Sequence, residues 1–506
     1  MSTPFRNFCL ITILMATFQI STAREYSGDG IEPFFGVSLR VDFVEGKPRA
    51  YLSGKFTKRR RPEFQNSFSL SHLIGRRPLQ VEFRNPEGKP VGFREIAEGE
   101  YLAEGEIRSW SYVMDLSPVS GRKATAHVSW ISGEFGLLMM RDLWPRVDKT
   151  YDWANLNIKL PEGWSLSADK LPDGSLTPMP GLPAADGWFT GASSESVFVI
   201  AKHLRESEVS SSGSSFKLII SGEWNFTDLE ASEMVRQISG EYGRVLGRLA
   251  FGTVRISLAK FPTPTSHGEW EAETRGNNVT IISSDMPFKT QSLQRLHEPL
   301  RHELFHLWIP NGVNLTGNYD WFYEGFALYQ SLRLAVGLNR IRFEDFLDTL
   351  SRAHTIDSAM SPKISLIQAS TNRFGGSTTQ VYARGMLVAF LTDLAMLERS
   401  KGKQSVEDFL KDIYAKHRKP AAPEDANTVV IEMLKTRANA ARIVDKYITG
   451  VEKIDWTNEL AAAGIEDADA GPLTNLRVKE KPKGSQKAML DKLGYNNWRK
   501  LSDSSK

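Results

Sequence analysis

The sequence predicts an α+β protein of several domains: an N-terminal antiparallel β domain, then an α+β domain with a helical C-terminal part. Three observations carry this. The chain has 506 residues, too many for one ordinary core, so roughly two to four domains are expected. From about Glu25 to Gly222, short apolar or alternating runs are separated by Gly, Pro, Asp and Ser, the texture of strands and turns. From about Thr227 the apolar spacing becomes helical.

Taken in order, the first residues read as an export signal. Arg6 supplies a positive start, Cys9–Phe18 is a short apolar run, and Ser21-Thr22-Ala23 places small residues where a signal peptidase reads. Residues 1–23 are therefore expected to be removed, and the protein to be exported. Cys9 is the one cysteine of the chain, so the mature protein would hold no thiol. Cysteine nucleophiles and thiolate metal sites are excluded, and a bacterial periplasm or the extracellular space is the expected location. No later stretch reads as a membrane span.

Residues 24–226 are expected to form a β-sandwich or saddle-shaped sheet. Its strand candidates include Phe35–Phe43, Ala126–Ile131, Ser196–Ala201 and Phe216–Ile220. The run Lys58-Arg59-Arg60-Arg61 reads as a solvated turn, because no aromatic residues interleave with it. Lys and Arg number 63 against 60 Asp and Glu, a net charge of +3, which argues against a nucleic-acid partner.

Residues 227–470 are expected to form the second domain. A helix over Leu229–Leu249 precedes strands Val254–Phe261 and Asn278–Ile282. Helices then dominate: Pro299–Ile309, Trp321–Val336, Phe343–Ala353, Thr379–Glu398, Ser405–His417 and Val429–Leu434. Pro299 suits the first turn of its helix, where no N–H is needed. Residues 471–506 are polar and Lys-rich and read as a tail.

The segment His302-Glu303-Leu304-Phe305-His306 carries the chemistry. Residues four apart stack on one face of a helix, so both imidazoles can reach one metal ion. Zn2+ suits such nitrogen donors and keeps one position open at a catalytic site. Glu303 projects beside the ion, placed to act as general base without ligating. A third ligand is needed, and Glu324 follows His306 by 18 residues. The loop between them contains Pro310, Gly312, Gly317 and Asn318, so the chain can turn back past the metal.

HELFHLW followed by WFYEGFALY resembles the gluzincin metallopeptidases, specifically the aminopeptidases of the alanyl and puromycin-sensitive kind. It is also similar to their relatives, the glycyl aminopeptidases. The loop between the second His and the ligand Glu is one residue shorter here than is usual in the alanyl branch. The resemblance implies a thermolysin-like catalytic domain and a peptide substrate. It further implies that Tyr382, in Val381-Tyr382-Ala383-Arg384-Gly385, matches a tyrosine that hydrogen-bonds the tetrahedral oxyanion. A phenol aimed at developing charge strengthens most in the transition state. A Gly-x-x-Glu strand that binds the free substrate amine is matched by Gly268 and Glu271, with Glu269 or Glu273 as substitutes.

The expected function is thus a zinc-dependent metallopeptidase, an aminopeptidase by resemblance. The alternatives are an endopeptidase or other zinc hydrolase on the same scaffold, and a catalytically silent binding protein of that fold.

Overall fold

The computed structural model describes residues 34–497 apart from 57–59, 71–77, 120–124, 147–152, 168–187, 192–195, 420, 439 and 469–472. The proposed signal and its Cys9 lie outside the described residues, as do Lys58 and Arg59. Arg60 departs from the solvated turn expected there. It is buried, donates from Nη1 to the Ser67 carbonyl at 2.7 Å, and lies over the Phe56 ring.

Three N-terminal sheets come first: two larger ones, and a small one in the order Ser67–Ser69, Glu100–Ala103 and Phe93–Ala97. The largest has six strands in the order 188–191, 153–159, 34–44, 47–56, 109–115 and 79–84. Its pairs are antiparallel except for Phe34–Val44 against Trp153–Lys159, which run parallel. The second has four strands in the order 165–167, 197–201, 135–139 and 130–132. Of the expected strand Ala126–Ile131, only Trp130 and Ile131 lie in a strand, Trp130–Ser132; the backbone before it turns.

Val197–Ala201 (VFVIA) shows why some runs lack alternation. Phe198 and Ile200 enter the core between the two larger N-terminal sheets, while Val197, Val199 and Ala201 face the next layer. A strand covered on both faces must be apolar throughout.

That next layer is a five-stranded sheet in the order Arg205–Ser211, Ser214–Ile220, Thr253–Lys260, Asn278–Ser283, Trp270–Arg275. Its three inner strands are parallel and both edges are antiparallel hairpins. The first hairpin lies upstream of residue 227, so this sheet takes two strands from the region before the helix at Asp228. The two faces of the sheet read directly from strand parity. Ile219, Ala259 and Ile282 meet the N-terminal sheets. Leu218, Leu258 and Ile281 meet the helices.

Helix Asp228–Leu246 starts from a capping box of Thr227 and Glu230. The helix holding His302 and His306 spans Lys289–His306, so Pro299 is interior and buried rather than at the start. Leu296, Leu300 and Leu304 continue one apolar stripe through the proline, and that packing outweighs the lost hydrogen bond. Helix Thr378–Ser400 is long and apolar enough to cross a membrane by composition, a feature missed in the sequence. Its most apolar window is 89% buried inside the protein, so it is the central core helix.

The expected tail is folded. Leu476–Val478 pairs with Ile465–Asp467. The helix Gly484–Leu493 inserts Met489, Leu490 and Leu493 into the main core, while its lysines lie on the outer face.

Candidate metal centre

The expected ligands converge. His302 and His306 lie one turn apart on the helix Lys289–His306, with their Nε2 atoms 3.1 Å apart. Glu324, in the first turns of the helix Asp320–Gly337, brings Oε2 to 3.1 Å from His302 Nε2 and 3.4 Å from His306 Nε2. Donors about 2.1 Å from a tetrahedral zinc ion stand roughly 3.4 Å apart, so this triangle has the size of a zinc cradle. Among the described residues it is the one group of His, Cys and acidic side chains close enough to hold a metal.

The surroundings fit a divalent cation in two further ways. His306 Nδ1 donates to the Ile309 carbonyl at 3.2 Å, which leaves Nε2 bare and facing the triangle. Charge balance points the same way. Glu303, Glu324 and Asp320 are all buried, and Arg373 pairs with Glu324 and Asp320. A divalent ion would balance the remainder. The two imidazoles, working against burial, hold the Glu324 carboxyl well below its usual range.

Glu303 is beside the triangle without joining it. Its carboxylate accepts from the Thr274 hydroxyl at 2.7 Å, and Thr274 belongs to the edge strand Trp270–Arg275. A carboxylate steadied in this way keeps one orientation.

Tyr382 stands on the helix Thr378–Ser400, its ring centroid 6.4 Å from that of His302. Burial and the nearby Glu324 push its phenol well above 10, against the opposing pull of Arg373. It therefore remains a protonated donor at any working pH. The rest of its motif is structural. Arg384 is fully buried and binds Asp357 at 3.0 Å and the carbonyls of Tyr447 and Glu452. Gly385 lets the helix approach Gly325 closely enough that a Cβ there would sit 2.5 Å from the Trp321 carbonyl oxygen.

The expected amine anchor is not brought to the centre. Strand parity sends Thr274 and Ala272 to the helix face, with their partners Val279 and Ile281. It sends Glu271 and Glu273 to the opposite face. Glu271 Oε2 accepts from the Thr125 backbone N–H at 2.6 Å and from that of Ala126 at 3.3 Å. Glu273 pairs with His127 at 2.9 Å and Arg275 at 2.6 Å. Gly268 sits in the preceding turn at φ +79°, beside Met286 and Arg295. Glu271 and Glu273 therefore support the junction with the N-terminal turn at Thr125–His127.

Three residues of the centre were not read from the sequence: Thr274, Asp320 and Arg373. Asp320 directly precedes WFYEGF and takes Arg373 Nη1 and the Tyr323 hydroxyl, each at 2.7 Å. Its position before the ligand helix was the available signal. Arg373 lies in a glycine-rich loop with no periodicity to mark it.

No known family model matches the sequence, and no curated protein does. Solved structures do match. The aminopeptidase N family protein from Idiomarina loihiensis aligns with a TM-score of 0.66 at 14% identity, over 85% of this chain and 78% of that one. The M1 zinc metallopeptidase from Deinococcus radiodurans aligns with a TM-score of 0.52 at 14% identity, over 84% and 95%. A variant of the latter, bound to Tyr-Ser-Ala substrate, gives the same values. At such identity the likeness is one of architecture: the chain has the fold of the M1 zinc metallopeptidases.

Proposed function

We propose that this chain is a zinc metallopeptidase. The observation that carries the reading is the triangle of His302 Nε2, His306 Nε2 and Glu324 Oε2, flanked by Glu303 and Tyr382. A zinc ion held there would supply Lewis-acid polarisation of a peptide carbonyl and acidify a water. Glu303 takes the proton of the attacking water and later delivers it to the leaving amine. Tyr382 donates its O–H to the carbonyl oxygen as negative charge develops. Thr274 keeps the Glu303 carboxylate in place for both transfers.

The finer reading, release of N-terminal residues, is supported by the fold neighbours, one described as an aminopeptidase N family protein and another bound to a tripeptide substrate. A second reading, cleavage within chains, is favoured by the placement of Glu271 and Glu273 on the far face of the sheet. Paired peptides with free and acetylated N-termini, assayed with and without a chelator, separate the readings. Chelator-sensitive cleavage of either supports the peptidase. Strong preference for the free amine favours the aminopeptidase, and equal rates favour the endopeptidase. No cleavage of any peptide by zinc-loaded protein would overturn the proposal.

The export expectation joins this proposal: a peptidase made with a removable leader over residues 1–23 would act outside the cytoplasm. N-terminal sequencing of the purified protein tests it, and a mature chain that retains Met1 would refute it.

A further inference from the structure

We infer that Arg373 is a positioning residue for Tyr382, directing the phenolic proton toward the substrate. The inference rests on the peptidase reading for its catalytic consequence, while the coupling between the two residues is independent of it.

One guanidinium reaches four partners. Nη1 donates to Asp320 Oδ1 at 2.7 Å and the Tyr323 hydroxyl at 3.2 Å. Nη2 donates to Tyr382 Oη at 2.6 Å and lies 2.8 Å from Glu324 Oε1. Arg373 has only donors, so the phenol oxygen must accept from it. Tyr382 therefore cannot spend its single proton on Arg373; beside it the Glu324 carboxylate is the acceptor, which a developing oxyanion would replace. Donation into the phenol oxygen also makes the O–H a stronger donor, which is the property an oxyanion partner needs.

The same side chain separates the two oxygens of Glu324. Oε1 is held by Arg373, and Oε2 faces the imidazoles. Arg373 thus links a ligand to the group that would stabilise charge next to it, fixing their separation.

The loop that presents Arg373 is built to hold it. Asn372 donates to Ser377 Oγ at 3.2 Å, and its carbonyl accepts from the N–H groups of Gly375 and Ser377. Thr378 Oγ1 donates to the Arg373 carbonyl at 2.8 Å. Gly376, at φ +120°, makes the turn into the Tyr382 helix, a conformation open to glycine. The arginine is only 15% exposed, so its rotamer is set before any substrate arrives.

A four-protein cycle tests this: the parent, Arg373→Met, Tyr382→Phe and the double variant. Arg373→Met should lower kcat by about 10²-fold with KM nearly unchanged, like loss of an oxyanion donor. In the Tyr382→Phe background it should cost less than about threefold, because its route to the reaction is already gone. Arg373→Lys should recover part of kcat, as a single-point donor. Thermal midpoints of the same four proteins in excess chelator give a second cycle without metal, in which the two shifts should again be less than additive. Full, additive losses in both cycles would overturn the inference, as would a parental kcat for Arg373→Met. If the parent hydrolyses no peptide, the functional reading falls while the chelator cycle still decides the Arg373–Tyr382 coupling.

Discussion

Gly325 and Gly385 meet backbone to backbone where the helix of Glu324 crosses the helix of Tyr382. A Cβ on Gly385 would come within 3.0 Å of the Gly325 Cα and 2.5 Å of the Trp321 carbonyl oxygen. Two helices carrying the ligand and the proposed oxyanion donor are thereby locked at one separation. Gly385→Ala should cost about 1–3 kcal/mol as an overpacking change. It should also lower turnover by displacing Tyr382. Urea unfolding and kcat on the same preparation check both; an alanine variant of parental stability would show that the contact is slack.

Glu303→Gln should keep fold and zinc while losing about 10²–10⁴ in rate, because the amide still accepts from Thr274 but takes no proton. Peptide turnover with metal analysis measures it. Near-parental turnover at full zinc content would remove Glu303 from the mechanism.

Tyr382→Phe should lower kcat by about 10²–10³ and leave KM nearly unchanged. Steady-state kinetics separate the two parameters. A raised KM at normal kcat would make Tyr382 a wall of the pocket.

Arg384 and Asp357 form an ion pair with both side chains fully buried. Arg384→Met leaves the buried Asp357 charge with Lys363 alone, 3.4 Å away, a loss of up to about 3–5 kcal/mol as in broken buried pairs. Chemical denaturation should show it. Arg384→Met and Asp357→Asn combined should recover part of the loss, and failure to do so would mean that the bonds to the Tyr447 and Glu452 carbonyls dominate.

The His127–Glu273 pair, partly exposed at the junction with the N-terminal sheets, gives a pH dependence. Burial lowers the His127 pKa, but the Glu273 carboxylate outweighs it and raises the value above 6.5. That contribution is present below pH 6.5 and fades as pH rises through the folded value. Burial raises the Glu273 pKa, but His127 and Arg275 outweigh it and hold the value below 4.5. That contribution is present above pH 4.5 and fades as pH falls through the folded value. The pair therefore contributes most between pH 4.5 and 6.5. Thermal melts of His127→Gln should differ most from the parent there and converge toward it at higher pH; a constant difference across pH would refute the assignment.

How far the sequence could be read follows from what kind of signal each residue leaves. His302, His306 and Glu324 were legible because helical spacing and one turn of loop fix which side chains can meet. The motif around Tyr382 made its place beside His302 legible. Glu271 was not, because its match to a motif says nothing of which sheet face it occupies, and one step of strand parity put Thr274 there instead. Pro299 misled because a proline suits a helix start, while the leucine stripe through Leu300 and Leu304 carried the helix past it. The folded C-terminus was hidden by its lysines, since Met489, Leu490 and Leu493 are too few to mark a helix against a polar background. Arg373 left no trace at all, as an irregular loop brings it to the centre from outside both metal helices.

His302, His306 and Glu324 are proposed to form one zinc site. Equilibrium zinc binding against a competing chromophoric chelator tests it most directly, on the parent, His302→Ala, Glu324→Ala and Glu303→Gln. About one zinc per chain is expected in the parent and in Glu303→Gln, with binding greatly weakened in the two alanine variants. Zinc held as tightly by His302→Ala as by the parent would contradict it.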